Sequence, residues 1–402
     1  MLSFVGYTIR KWNTAAYYTS PSPSPSPSHN KYHPTLNIKI VAKEILFEFI
    51  FHSIPFHFRL RRKMARHPVA EANEASPFGT LTPDEFYARH SVTHSSEFIT
   101  NARGLKIFTQ WWLPRDTPVS GIICVVHGFT GESSWFLQLT SVFFAKSGFA
   151  TCAIDHQGHG FSEGLDGLDT HIPNIDGVVD DCIQFFDSFR HLHAPDLPAF
   201  LYSESLGGAI ALYISLRQKG AWDGLILNGA MCGISAKFKP PWPLEHFLFI
   251  VAKLIPTWRV IPTRGSIPDV SFKEQWKRKL AVASPRRTVA RPRAATAYEL
   301  VRICNDLQGR FEEVDVPLLI VHGGDDVVCD PACVEELYKR ASSADKTLRI
   351  HPGMWHQLVG EPEESVELVF GEMVDWLKTR ASRAVEVMGA SDASAAVGST
   401  SG

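Results

Sequence analysis

Phe200-Leu201-Tyr202-Ser203-Glu204-Ser205-Leu206-Gly207-Gly208-Ala209-Ile210-Ala211 is the stretch on which the reading of this chain turns. An apolar run climbs to Tyr202, and two glycines then open an Ala- and Leu-rich helix. A serine at a sharp strand-to-helix turn is the layout of a nucleophile elbow, which holds one hydroxyl proud of a sheet. Such a turn strains the backbone at the nucleophile, so the residues two before and two after must be small. Gly207 meets that demand after Ser205, whereas Ser203 stands where glycine is usual and adds a side chain in crowded backbone. Ser205 is the candidate nucleophile; its structural alternative is a plain helix N-cap.

Working outward, Gly121-Ile122-Ile123-Cys124-Val125-Val126 is continuously apolar and runs into His127-Gly128-Phe129-Thr130-Gly131. An apolar run without alternation predicts a strand buried on both faces, as in a parallel sheet. Strands are also predicted at Leu105–Leu113, Phe149–Ile154, Gly224–Asn228, Val316–Val321 and Thr347–Ile350, with helical stretches between them. The alternation predicts an α/β fold with a doubly wound, mostly parallel sheet. About residues 232–296 interrupt it. This insertion carries Trp242, Phe247, Phe249, Ile250 and Trp258, and reads as a helical cap over the strand ends. The four aromatic residues among these are candidate substrate contacts; the alternative is that they pad the core.

The 402 residues are 45% hydrophobic and 20% charged with a formal net charge of −2, which gives no electrostatic case for nucleic acid. Seven cysteines show no C-x-x-C pair or zinc spacing, so no metal site is expected and a reducing compartment fits best. Residues 1–76 read as a basic extension, disordered or weakly ordered. Before Met64 there are nine Lys or Arg and two Glu, with a Pro-Ser repeat from Pro21 to Ser28. That composition permits organelle targeting by residues 1–63. The patch from Leu36 to Leu60 is broken by Lys39, Lys43, Glu44, Glu48 and Pro55, so it permits peripheral membrane contact rather than a span. The competing reading starts the working chain at Met64. Residues 77–383 form the expected catalytic domain, cytoplasmic or peripheral to a membrane, and the Ala-, Ser- and Gly-rich residues 384–402 a disordered tail.

Acyl transfer by a serine also needs a base, a carboxylate to orient the base, and donors for the oxyanion. Downstream of Ser205, one predicted strand runs into His322-Gly323-Gly324-Asp325-Asp326 and another into His351-Pro352-Gly353-Met354-Trp355-His356. The order Ser, Asp, His at strand ends is the one this chemistry uses. Asp330, before Pro331, suits a helix N-cap, which leaves Asp326 with Asp325 as rival. His356 lies past a glycine turn and is preferred to His351. The oxyanion donors should be the backbone N–H groups of Phe129 and Leu206, and His127, His156 and His159 should brace their loops.

With those residues in view, the chain resembles the plant monoacylglycerol lipase-like branch of the α/β-hydrolases, which includes caffeoylshikimate esterase. The matching stretches are His127 to Trp135, Asp155 to Ser162, the elbow, Arg291-Pro292-Arg293 with Thr296 to Leu300, the Asp326 loop, and Gly353-Met354-Trp355-His356. The resemblance implies an α/β-hydrolase with the triad Ser205, Asp326 and His356, and Phe129 and Leu206 as oxyanion donors. It implies no cofactor, and a small lipid or ester as substrate: a monoacylglycerol or lysophospholipid, or a phenolic ester. A hydrolase-fold receptor for a small molecule is the non-enzymatic alternative.

Overall fold

A computed structural model describes residues 66–234, 244–260, 266–288 and 290–398. Eight strands form one sheet in the order β1-β2-β4-β3-β5-β6-β7-β8. They span Val92–Thr100 (β1), Lys106–Pro114 (β2), Ile122–Val126 (β3), Ala150–Ile154 (β4), Ala199–Glu204 (β5), Gly224–Asn228 (β6), Leu318–Gly323 (β7) and Lys346–His351 (β8). From β4 to β8 every pairing is parallel, and the antiparallel β1–β2 hairpin closes one edge against β4. The doubly wound, mostly parallel sheet expected of an α/β-hydrolase is therefore the one observed.

The apolar runs of the central strands are explained by two cores, one on each face. Cys124, Val126, Leu201, Leu225, Leu227 and Ile320 face one core, while Ile123, Val125, Phe200, Tyr202, Ile226 and Leu319 face the other. Successive side chains of a strand point to opposite faces, so a strand covered on both sides shows no polar alternation. The first core is closed by helices Asp176–His193 (α3) and Leu206–Arg217 (α4), and by two helices that come later in the chain, Ala294–Gln308 and Pro331–Arg340. The second is closed by Pro83–Arg89 (α1), Leu137–Lys146 (α2) and the final helix, Glu363–Gly398. Each large side chain sealed in these layers contributes about 1.5–3 kcal/mol. α4 is buried all round from Leu206 to Leu216, as befits the helix that follows the elbow.

Three expectations need correction. β1 was not foreseen, because Val92-Thr93-His94-Ser95-Ser96-Glu97-Phe98 is an edge strand with mostly exposed side chains and carries little apolar signal. The folded unit also begins before residue 77. Residues Pro68–Glu71 form a 3₁₀ turn with Val69 buried, and the His67 ring lies 5.0 Å from Phe143 and 4.6 Å from Phe370. The final helix continues to Gly398, across most of the expected tail. Ala384, Ala390, Ala393, Ala395 and Ala396 carry the best helix propensity, and no proline intervenes.

Within the insertion the described helices are Leu244–Leu254 (α5), Ile267–Ser271 (α6) and Gln275–Val282 (α7), ahead of Ala294–Gln308 (α8); Pro331–Arg340 is α9 and Glu363–Gly398 is α10. The expectations about residues 1–63 lie outside the described residues. Among those described, no helix is long and apolar enough to cross a membrane.

Candidate active site

The site lies where the strand order reverses. β4 and β5 leave β3 on opposite sides, so the loops after β3 and β5 diverge and open a crevice at their carboxyl ends. Ser205 follows β5 directly, with φ 54° and ψ −122°, a conformation that non-glycine residues seldom adopt. The strain is held from several sides. The Ser205 N–H donates to the Asn228 carbonyl at 3.3 Å, and the Ser205 carbonyl accepts from Gly208 N at 2.9 Å and Met231 N at 2.8 Å. A Cβ on Gly207 would overlap the Val126 carbonyl oxygen, so the small-residue requirement there is steric. A Cβ on Gly128 would lie 2.9 Å from the Ser205 Cβ, which shows how closely the β3 loop approaches the serine. Ser203 is not strained. It is a strand residue paired with Leu227, and its hydroxyl donates to the Ile226 carbonyl at 3.0 Å.

The loop after β7 separates the two candidate carboxylates. Asp325 is exposed, whereas Asp326 is buried. Asp326 Oδ1 accepts from the Val328 and Cys329 N–H groups at 2.8 and 3.1 Å, and Oδ2 lies 2.7 Å from His356 Nδ1. A second imidazole, His322 Nε2, reaches the same Oδ2 at 3.1 Å. Burial pushes the Asp326 carboxyl up, but the facing imidazoles and their hydrogen bonds outweigh it and hold it well below the usual carboxylate range. It is an anion at any working pH. His351, the rival base, is half-buried beside Glu372 and Arg349 and makes no contact with Asp326.

Ser205 and His356 line one cavity, together with Gly128, Phe129 and Glu204. Among the described residues, the N–H groups of Phe129 and Leu206 donate to no protein acceptor. For Leu206 this follows from its place at the first position of α4, where no carbonyl lies one turn back. His127 holds the Phe129 loop. Its Nε2 accepts from His156 N at 3.0 Å, so its Nδ1–H donates to the Gly128 carbonyl at 2.8 Å. Burial pushes His127 well below its ordinary value, His156 to about 3 and His159 to about 4, so this cluster is neutral and braces rather than titrates.

Phe247, Phe249 and Trp258 do not join this cavity. Trp242 lies outside the described residues. Phe247 and Phe249 are each 53% exposed and Trp258 is 61% exposed, and none of the three is in the cavity wall. α5 turns Leu248 onto Ala294 and Ala297 of α8, which leaves its neighbours Phe247, Phe249 and Ile250 pointing outward. The insertion reaches the cavity through Ile267, Ser271, Phe272, Ala281 and Arg287 instead. Those residues, Glu132 and His322 were not singled out as site residues from the sequence. His322 had a readable signal, since it ends the same strand as the Asp326 loop; the others carry no local motif. Cys329 also sits here: Asp326, Cys329 and His356 bring donor atoms within 4.8 Å of one another, with the carboxylate already accepting three hydrogen bonds and facing His322 Nε2 at 3.1 Å.

The sheet, the strained serine after β5 and the Asp–His pair after β7 and β8 make up an α/β-hydrolase. The sequence profile of the Hydrolase_4 family, described as serine aminopeptidase S33, matches residues 117–363, and the chain belongs to that family. It is 32% identical to caffeoylshikimate esterase of Arabidopsis thaliana over 76% of this chain and 92% of that one. It is 28% identical to human monoglyceride lipase over 71% of this chain and 91% of the relative. The crystal structure of a soluble variant of monoglyceride lipase from Saccharomyces cerevisiae has the same fold, with a TM-score of 0.63 at 21% identity, covering 72% of this chain and 95% of that one. The chain is an enzyme, a carboxylic ester hydrolase of the type to which these esterases and lipases belong.

Proposed function

We propose that this hydrolase cleaves carboxylic esters of single-chain lipids, such as a monoacylglycerol or lysophospholipid, by way of an acyl-enzyme on Ser205. The observation that carries the reading is the 2.7 Å contact between Asp326 and His356 in a site whose serine is held at positive φ. Asp326 Oδ2 accepts the Nδ1–H of His356, which leaves Nε2 free to take the Ser205 proton. As Ser205 Oγ attacks the ester carbon, the developing oxyanion is met by the N–H groups of Phe129 and Leu206. His356 then returns the proton to the leaving alcohol, and water repeats the cycle on the acyl-enzyme. The exposed apolar face of α5 supports a lipid substrate, because it offers Phe247, Phe249 and Ile250 to an aggregated or membrane-borne ester. A second reading, a phenolic ester, is favoured by the 32% identity to caffeoylshikimate esterase.

Ser205→Ala is expected to abolish labelling by a fluorophosphonate probe and to lower kcat on every ester by about 10⁴–10⁶, with the fold retained by circular dichroism. A panel of monoacylglycerols, lysophospholipids and hydroxycinnamoyl esters then ranks the two substrate readings by kcat/KM. Undiminished turnover in Ser205→Ala would remove the assignment.

A further inference from the structure

We propose that Arg287 reads an anionic group, a carboxylate or a phosphate, carried by the ester close to the bond that Ser205 attacks. Arg287 follows α7 in the insertion, and its side chain lines the same cavity as Ser205, Glu204 and His356. Among the described residues its guanidinium makes no hydrogen bond and no ion pair within 4 Å, and its Nε is buried without a partner. Arg287 is partly buried; its Nε–H is sealed from water with no acceptor, and a buried donor left unpaired is costly, so proteins seldom keep one without a use. Three other insertion arginines are paired: Arg259 and Arg293 with Asp169, and Arg278 with Asp269.

The carboxylates that could neutralise Arg287 from within are already engaged. Glu132, the acidic group that faces it most directly, accepts from Ser134 N at 2.6 Å, from the Ser134 hydroxyl at 2.5 Å and from the Ser284 hydroxyl at 3.2 Å. Glu204 accepts from the Tyr202 hydroxyl at 2.6 Å, and Asp155 from Ser133 and Phe161. His127, the other titratable group beside Arg287, is neutral. The donors of the guanidinium fork are thus left for a ligand, and that fork matches the paired oxygens of a carboxylate or phosphate. A neutral monoacylglycerol offers nothing of that kind, whereas a lysophosphatidate or an ester of a carboxylated alcohol does.

This inference rests on the reading of Ser205 as nucleophile, and two matched pairs of esters test it. The carboxylate arm compares 3-(butanoyloxy)benzoate with its methyl ester, and the phosphate arm compares 1-dodecanoylglycerol 3-phosphate with 1-dodecanoylglycerol. In one arm, Arg287→Gln should lower kcat/KM on the anionic member about 10–100-fold more than on its neutral partner, the loss falling mainly in KM. Arg287→Lys, which keeps the charge and loses the fork, should fall between, and it carries the comparison if the Gln variant fails to fold. The arm that responds identifies the anion. Equal losses on both members, or no loss in either arm, overturn the proposal. If the wild type hydrolyses none of the four, the nucleophile reading is tested separately by fluorophosphonate labelling of Ser205. Calorimetric titration of Ser205→Ala with the same compounds then decides: anion affinity that disappears with Arg287→Gln upholds the site, and affinity indifferent to Arg287 overturns it.

Discussion

Ser203 occupies the elbow position where glycine is usual, and its surroundings show why it is tolerated. The strained residue is Ser205, while Ser203 remains in the strand with its side chain buried and its hydroxyl on the Ile226 carbonyl. Replacing it with glycine removes one buried hydrogen bond and adds backbone freedom to the unfolded chain. Ser203→Gly should therefore cost about 1 kcal/mol of stability and leave kcat undiminished. Thermal unfolding beside steady-state kinetics checks this, and a large fall in kcat would mean that the hydroxyl holds the elbow itself. Residue types and spacing made Ser205, Asp326 and His356 legible as candidates because an elbow and strand-end loops are local patterns. Nothing local marked Arg287, whose significance lies in which carboxylates are already occupied around it.

At the scale of the element, α5 shows how an apolar composition can be right and its direction wrong. Leu244 to Leu254 is rich in large side chains, but a helix has one buried stripe, and Leu248 and Ala252 take it. Leu248→Ala should cost about 2–5 kcal/mol by opening the contact with Ala294 and Ala297. Phe249→Asp, at a 53% exposed position, should change stability by no more than about 0.5 kcal/mol. On the lipid reading it should nevertheless lower turnover of vesicle-borne long-chain esters far more than that of a short soluble ester. Melting temperatures and the two rates separate these outcomes. A Phe249→Asp variant as unstable as Leu248→Ala would reverse the assignment of the two faces.

For the whole molecule, burial of neutral histidines makes stability depend on pH. His156, held at about 3, and His159, at about 4, are uncharged when folded but take up protons near 6.5 when unfolded. Below pH 6.5 the unfolded chain therefore binds more protons, and stability falls as pH falls towards those folded values. At pH 5 each contributes a loss of about 2 kcal/mol, and His67 and His127, also pushed down by burial, act in the same direction. Asp155 opposes them, because burial raises it to about 7 and the folded state gains relative stability as pH falls through that value; Glu132 and Glu204 are raised less strongly. With five strongly lowered histidines, His90 at about 4 among them, against one strongly raised carboxyl, the melting temperature should drop between pH 7 and pH 5. A rise over that interval would show the buried carboxyls dominating.

The chain by itself determined the alternation of strands and helices, the position of the elbow and the order Ser, Asp, His. Each of these is a correlation between near neighbours in sequence: an apolar run, a pair of small residues, a loop after a strand. Tertiary structure decided the rest. It set Asp326 apart from Asp325 by burying one carboxylate under two imidazoles and leaving the other exposed. It turned the α5 aromatics outward and brought Arg287 beside a serine 82 positions earlier in the chain. Those outcomes depend on which surfaces meet and which charges are already paired, and packing sets both across distances that no sequence window spans.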